Sequence, residues 1–169
     1  MPVPVNLSIT GFTPAALPAS AFGADTVGVL RQGVEVQRAT KVLPQTATEA
    51  LFTVAGGKVL IHEIFGEVTT AIQAQATTLK LQANPTVAGS SVDMCATVDA
   101  NADVVGTIYG ITGTLATAMG HGLAIIGQVT PTVVQPGTID LVTGASSTGS
   151  VKWVCRYSPI DAGATVVAA

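Results

Sequence analysis

Ser150-Val151-Lys152-Trp153-Val154-Cys155-Arg156-Tyr157-Ser158-Pro159 is the stretch on which the fold turns. Val151, Trp153, Cys155 and Tyr157 occupy alternate positions, with Lys152, Val154, Arg156 and Ser158 between them. Successive side chains of a strand point to opposite faces, so this period of two puts a large apolar row on one side and a more polar row on the other. That is the pattern of a half-buried strand, and it places Trp153 in a core. Leu79 and Leu81, opposed by Lys80 and Gln82, repeat the pattern and make Leu81 a second core residue.

Working outward, strand-like runs cover residues 34–39, 50–54, 59–65, 68–73, 77–82, 92–98, 104–114, 123–130, 138–142, 150–157 and 164–167. Turn chemistry separates them at Gly56-Gly57, Asn84-Pro85, Gly89-Ser90, Pro136-Gly137, residues 144–149 and Ser158-Pro159. Residues 69–78 and 114–119 contain alanine and could form a turn or short helix, but neither carries an apolar stripe. Many short strands without intervening helices predict an all-β chain: an antiparallel β-sandwich or jelly-roll-like domain over residues 33–169. There is no internal repeat of solenoid or propeller type.

Residues 1–32 read differently. Pro2, Pro4, Pro14 and Pro18 interrupt any helix. Val3, Val5, Leu7, Ile9, Phe12, Leu17 and Phe22 are too many apolar side chains for a purely solvated tail. The segment reads as an extended N-terminal arm, packed on its own domain or on a neighbour. Phe12, Leu17 and Phe22 are its candidate partner-binding anchors.

A chain of 169 residues suits one domain plus a tail. Hydrophobic residues make up 48% and charged residues 10%, against about 25% charged in ordinary globular chains. So little surface charge implies that partner subunits cover much of the exterior. The seven basic residues, Arg31, Arg38, Lys41, Lys58, Lys80, Lys152 and Arg156, are scattered and the net charge is −3; neutralising phosphates needs a basic patch, so nucleic acid is not an expected partner. Cys95 and Cys155 each sit in an apolar run, which predicts buried free thiols rather than a disulfide or zinc site. The first residues lack the basic leader and apolar stretch of a secretory signal, giving an expectation of assembly in a reducing cytoplasm. Residues 104–139 carry no charge, but Gly110, Gly113, Gly120, Gly122 and Gly127 break them up and Thr107, Thr112, Thr114 and Thr117 make them polar, so no membrane span is expected.

Catalysis needs convergent polar groups, and the sequence is poor in them. His62 stands in a strand run beside Glu63 and reads as a residue tied to a neighbouring group. His121, between Gly120 and Gly122, reads as a loop apex. No GxSxG, HExxH or phosphate-binding glycine loop is present. Asp99-Ala100-Asn101-Ala102-Asp103 opens like a calcium loop, but Val104 replaces the glycine at position six and Gly110 the glutamate at position twelve. A polar hairpin turn between Val98 and Val104 is the expectation, with no metal and no cofactor. A sugar platform would require Trp153 or Tyr109 to be exposed.

Three segments, residues 51–70, 107–117 and 151–169, resemble small virion proteins of tailed bacteriophages, and among these the capsid decoration, or cement, proteins best match in size and β content. The likeness is one of texture and carries no functional residues across. It implies a non-enzymatic accessory role on the outer capsid surface, with the major capsid protein as partner and a homotrimer as the assembly. Tail or head-fibre components and host-surface carbohydrate-binding modules are the alternatives.

Overall fold

A computed structural model describes residues 33–87, 89–125 and 127–169. Phe12, Leu17 and Phe22 therefore lie outside the described residues. The strands are β1 (Val34–Gln37), β2 (Lys41–Val42), β3 (Thr48–Ala55), β4 (Val59–Thr70), β5 (Thr78–Pro85), β6 (Val92–Asp93), β7 (Val98–Asp99), β8 (Ile108–Gly110), β9 (Gly120–Gly122), β10 (Thr132–Val134), β11 (Gly137–Thr143), β12 (Ser150–Pro159) and β13 (Thr165–Ala168). No helix occurs among the described residues.

Seven strands form sheet A in the order β1, β12, β4, β8, β9, with β2 also on β12 and β10 also on β4. Six form sheet B in the order β13, β3, β11, β5, β6, with β7 also on β5. Every pairing between these strands is antiparallel. The expected antiparallel β-sandwich is the architecture found.

The two long strands of sheet A, β4 and β12, form its spine. Val151, Trp153, Cys155 and Tyr157 all face the core, as their alternation requires, with Ile61, Ile64 and Val68 beside them. Leu79, Leu81, Phe52, Val54, Ile139 and Leu141 close the core from sheet B. Both cysteines are buried and free. Trp153 is 1% exposed and stands in register with Gly66. A Cβ on Gly66 would lie 2.9 Å from three indole carbons, so glycine in the middle of β4 is what lets the indole lie flat on the sheet.

The two margins of the sandwich differ. At the β1 margin Arg38 is buried and donates to the Glu49 carboxylate and, at 3.4 Å, to the carbonyls of Ala50 and Ala169. Lys41 adds a contact of 2.6 Å to the same carboxylate. Glu49 belongs to β3, so these cations fasten sheet A to sheet B. At the opposite margin a backbone clasp does part of this work: Ala96 N–H donates to Thr117 O at 2.9 Å and Met119 N–H to Ala96 O at 3.1 Å. Beyond the clasp, among the described residues, β6 pairs only with β5 and β10 only with β4, which leaves the margin open.

Several expectations need correction. Residues 59–65 and 68–73 are not two strands but one, β4, which a bulge opposite Arg156-Tyr157 bends without breaking. Residues 92–98 divide into β6 and β7, and of residues 104–114 only the three of β8 are paired. The described part of 123–130 is loop, with Leu123 and Val129 largely exposed. Burying those two residues would require a paired strand facing the core, and the chain there runs over the surface instead.

Candidate functional site

Three constellations present themselves: an apolar groove at the open margin, a polar cleft over the bulge in β4, and an aromatic row across sheet A.

The groove occupies about 180 Å³ and is lined by Ala83 and Pro85 of β5, Val92 of β6, Met94, Leu115, Thr132, Val133 and Val134 of β10, and Gln135. None of these side chains is charged. Its floor is core, since Met94 and Val134 are buried. Its rim is not: Val92 is 49%, Leu115 48% and Val133 56% exposed. The local sequence explains the opening. Thr86 N–H still donates to Pro136 O at 2.9 Å, but Pro136 has no N–H to return the bond, so the ladder stops and β5 ends at Pro85. Opposite it stands Gly137, the start of β11, where a Cβ would meet Asn84 O at 2.2 Å. The chain thus leaves both sheets at this point, and two short edges, β6 and β10, face each other with apolar residues between them. Exposed apolar groups gathered around a concavity mark a docking surface more often than those scattered singly.

The polar cleft, about 210 Å³, is lined by His62, Glu63, Gly127, Gln128 and Arg156. The bulge turns His62 and Glu63 together toward the outer face of sheet A. His62 Nε2 and Ser158 Oγ share a hydrogen bond of 2.7 Å, so the histidine is tied to a neighbour, though to Ser158 rather than to Glu63. Glu63 instead accepts from Arg156 at 3.0 Å, and Arg156 also donates to Glu35 at 3.1 Å. The Gln37 amide, and then Arg156, hold the Glu35 carboxyl below its ordinary range. Gln128 donates its amide to Ile61 O, Thr130 O and Thr132 Oγ1. A serine next to a histidine suggests a nucleophile and its base, but a hydrolytic site also needs a third group orienting the base and donors for an oxyanion. Glu63 is engaged by Arg156, while Gln128 Oε1 is buried without a hydrogen-bond partner.

The aromatic row follows the register of sheet A. Trp153 lies opposite Gly66, Gly66 opposite Tyr109, and Tyr109 opposite His121. The Trp153 and Tyr109 rings stack with centroids 6.4 Å apart, as do those of Tyr109 and His121. Tyr109 OH donates to Asp103 at 2.5 Å and His121 Nδ1 lies 3.3 Å from the same oxygen. Burial first, and then the Asp103 carboxylate, push the Tyr109 hydroxyl well above its ordinary range. His121 is thus a strand residue of β9, not a loop apex. Its strand is invisible in Gly120-His121-Gly122 because pairing with β8 creates it. The Asp99 to Asp103 segment is a turn in which Asp99 accepts the Asn101 N–H at 3.1 Å, with no returning strand at Val104. Among the described residues no group of three or more His, Cys, Asp or Glu side chains is placed to hold a metal ion. Trp153 and Tyr109 are both buried, so neither offers a face to a sugar.

Comparison with protein-family models, with curated proteins and with solved structures finds no match to this chain. The geometry must therefore carry the functional argument. Of the three constellations, the groove presents the exposed apolar surface; the aromatic row stacks and hydrogen-bonds within itself, and the polar cleft keeps one buried acceptor, Gln128 Oε1, without a partner. No sequence signal marks the groove, because Val92 and Val133 are far apart in the chain and become neighbours only through the sandwich.

Proposed function

We propose that this protein is a non-enzymatic virion component that decorates and stabilises the capsid of a tailed bacteriophage by bridging neighbouring major capsid subunits. The observation that supports this reading most is the uncharged, half-exposed groove at an open sandwich margin, on a chain with only 10% charged residues. A surface of that kind gains by being covered. The resemblance of residues 51–70, 107–117 and 151–169 to small phage virion proteins points the same way. In this reading Phe12, Leu17 and Phe22 anchor the arm to the shell, the β-sandwich spans capsomers, and three copies assemble around a local threefold. A protein that binds the assembled shell in preference to the loose one stabilises it by mass action, and adjacent docked copies raise one another's effective concentration. No cofactor, metal, nucleic acid or membrane enters the proposal.

The test is fractionation of purified particles into heads and tails, followed by quantitative detection of this polypeptide. The reading expects it on heads in fixed ratio to the major capsid protein. Recovery on tails alone would transfer the role to a tail or fibre component, and absence from both would remove the virion role.

A further inference from the structure

The open margin between β6 and β10 is shaped for one more strand. Along the same margin the Ala96 clasp already joins the two sheets, and the closure lapses where the groove begins. Among the described residues β10 is paired on one side only, so its other side presents backbone donors and acceptors to an added strand.

We propose that residues 3–9 of a second copy of this chain add as a strand beside β10 and seat alternate side chains in the groove. The groove-lining residues carry no charge, and residues 1–24 carry no charged side chain. Within that segment Val3, Val5, Leu7 and Ile9 alternate with Pro4, Asn6 and Ser8. This is the period-two pattern by which an extended peptide added to a sheet edge places every second side chain inward. Pro4 falls in the outward row, and proline is tolerated in edge strands. The groove volume of about 180 Å³ exceeds the roughly 150 Å³ of an apolar cavity that takes a benzene ring, so one or two of these aliphatic side chains fit.

Chain length permits the exchange. From Ile9 to Gly33 the backbone can extend roughly 80 Å at about 3.3 Å per residue, enough to reach an adjacent molecule. In the single chain Val92, Leu115 and Val133 stay about half exposed, so the groove still has apolar surface to bury when a neighbour's strand arrives. Donation of a strand from each copy to the next is a head-to-tail contact, which closes into a ring when the rotation between copies permits. The inference concerns the protein by itself and does not rest on the shell-binding reading.

Cysteine pairing tests it. The native Cys95 and Cys155 are buried, so introduced thiols dominate oxidation. Val133 lies in the outward row of β10, so it is matched with the outward row of the arm: full-length Ser8→Cys protein and full-length Val133→Cys protein are refolded together and oxidised mildly. The expected result is a disulfide-linked heterodimer at least tenfold more abundant than the dimers either variant forms alone. A chain carrying both substitutions should give a ladder of linked oligomers. No heterodimer in the mixture overturns the proposal, as does a double variant that closes only within its own chain. Sedimentation of the purified protein provides the second reading: Leu7→Asp should shift oligomer to monomer at concentrations where the unaltered chain is assembled. An unaltered chain that is monomeric at every concentration would equally sink the idea. Because no particles are present, these outcomes are independent of whether the protein binds heads.

Discussion

Replacing Gly66 with alanine tests the packing of the core at its tightest point. The added methyl would lie 2.9 Å from Cδ2, Cε2 and Cε3 of Trp153, where carbon atoms prefer about 3.5 to 4.0 Å. The indole has little room to withdraw, since it is 1% exposed and stacks with Tyr109, 6.4 Å away between ring centroids. Overpacking of this kind costs about 1 to 3 kcal/mol. The intrinsic preference runs the other way, because alanine in a strand is favoured over glycine by about 0.5 to 1 kcal/mol. The net expectation is a destabilisation of about 1 to 2 kcal/mol, read by urea denaturation with far-UV circular dichroism and an unchanged slope. In a Trp153→Leu background the clash disappears, and Gly66→Ala should become neutral or stabilising. The difference between backgrounds, at least about 1 kcal/mol, is the coupling energy of the pair. A Gly66→Ala protein as stable as the original, with Trp153 in place, would refute the account of why β4 carries a glycine at its centre.

Other outcomes follow from the same structure. Burial pushes the Cys155 thiol up to about 12, so the folded state holds it protonated. The resulting stability is complete below the ordinary thiol pKa of about 8.5 and is lost as pH rises from there toward 12, by about 2 kcal/mol at pH 10. Buried Tyr109, also raised, acts in the same direction; melting at pH 8 to 10.5 should show the decline, and Cys155→Ala should flatten it. Arg38→Ala removes the donor that joins Glu49 and two backbone carbonyls and should cost about 1 to 3 kcal/mol. Lys58→Ala, which loses only an exposed 3.7 Å contact to Asp161, should cost under about 1 kcal/mol in the same denaturation assay. A chain beginning at Gly33 should melt close to the full chain but bind particles far more weakly, since in the proposed role each lost anchor among Phe12, Leu17 and Phe22 would contribute about 1.5 to 3 kcal/mol of burial. Unfolding on truncation would instead make the arm part of its own core.

The fold class was legible because the long strands carry their own signal. In β12 the alternation survives nearly intact, and in β5 Leu79 and Leu81 mark the buried face. What escaped was pairing imposed by neighbours. β2, β9 and β10 are two or three residues long, and a Gly-His-Gly strand exists only because β8 lies beside it. The continuity of β4 through Gly66 was hidden for a related reason: glycine reads as a break until Trp153 is seen to cover it. Conversely, Leu123 to Val129 has strand-like composition, yet its ends are held by loop contacts such as Gln128 to Thr130 O at 2.9 Å. For function, the low charge raised the expectation of a covered surface without pointing to a place. The groove is a property of two edges meeting, and no local pattern encodes it.

The central claim, that this protein binds and strengthens a phage head, is tested most directly by adding the purified full-length chain to heads that lack it. The account predicts saturable binding at a fixed ratio to the major capsid protein and a higher temperature of shell disruption in proportion to occupancy. Heads that take up none of the protein, or that bind it and break at an unchanged temperature, would contradict it.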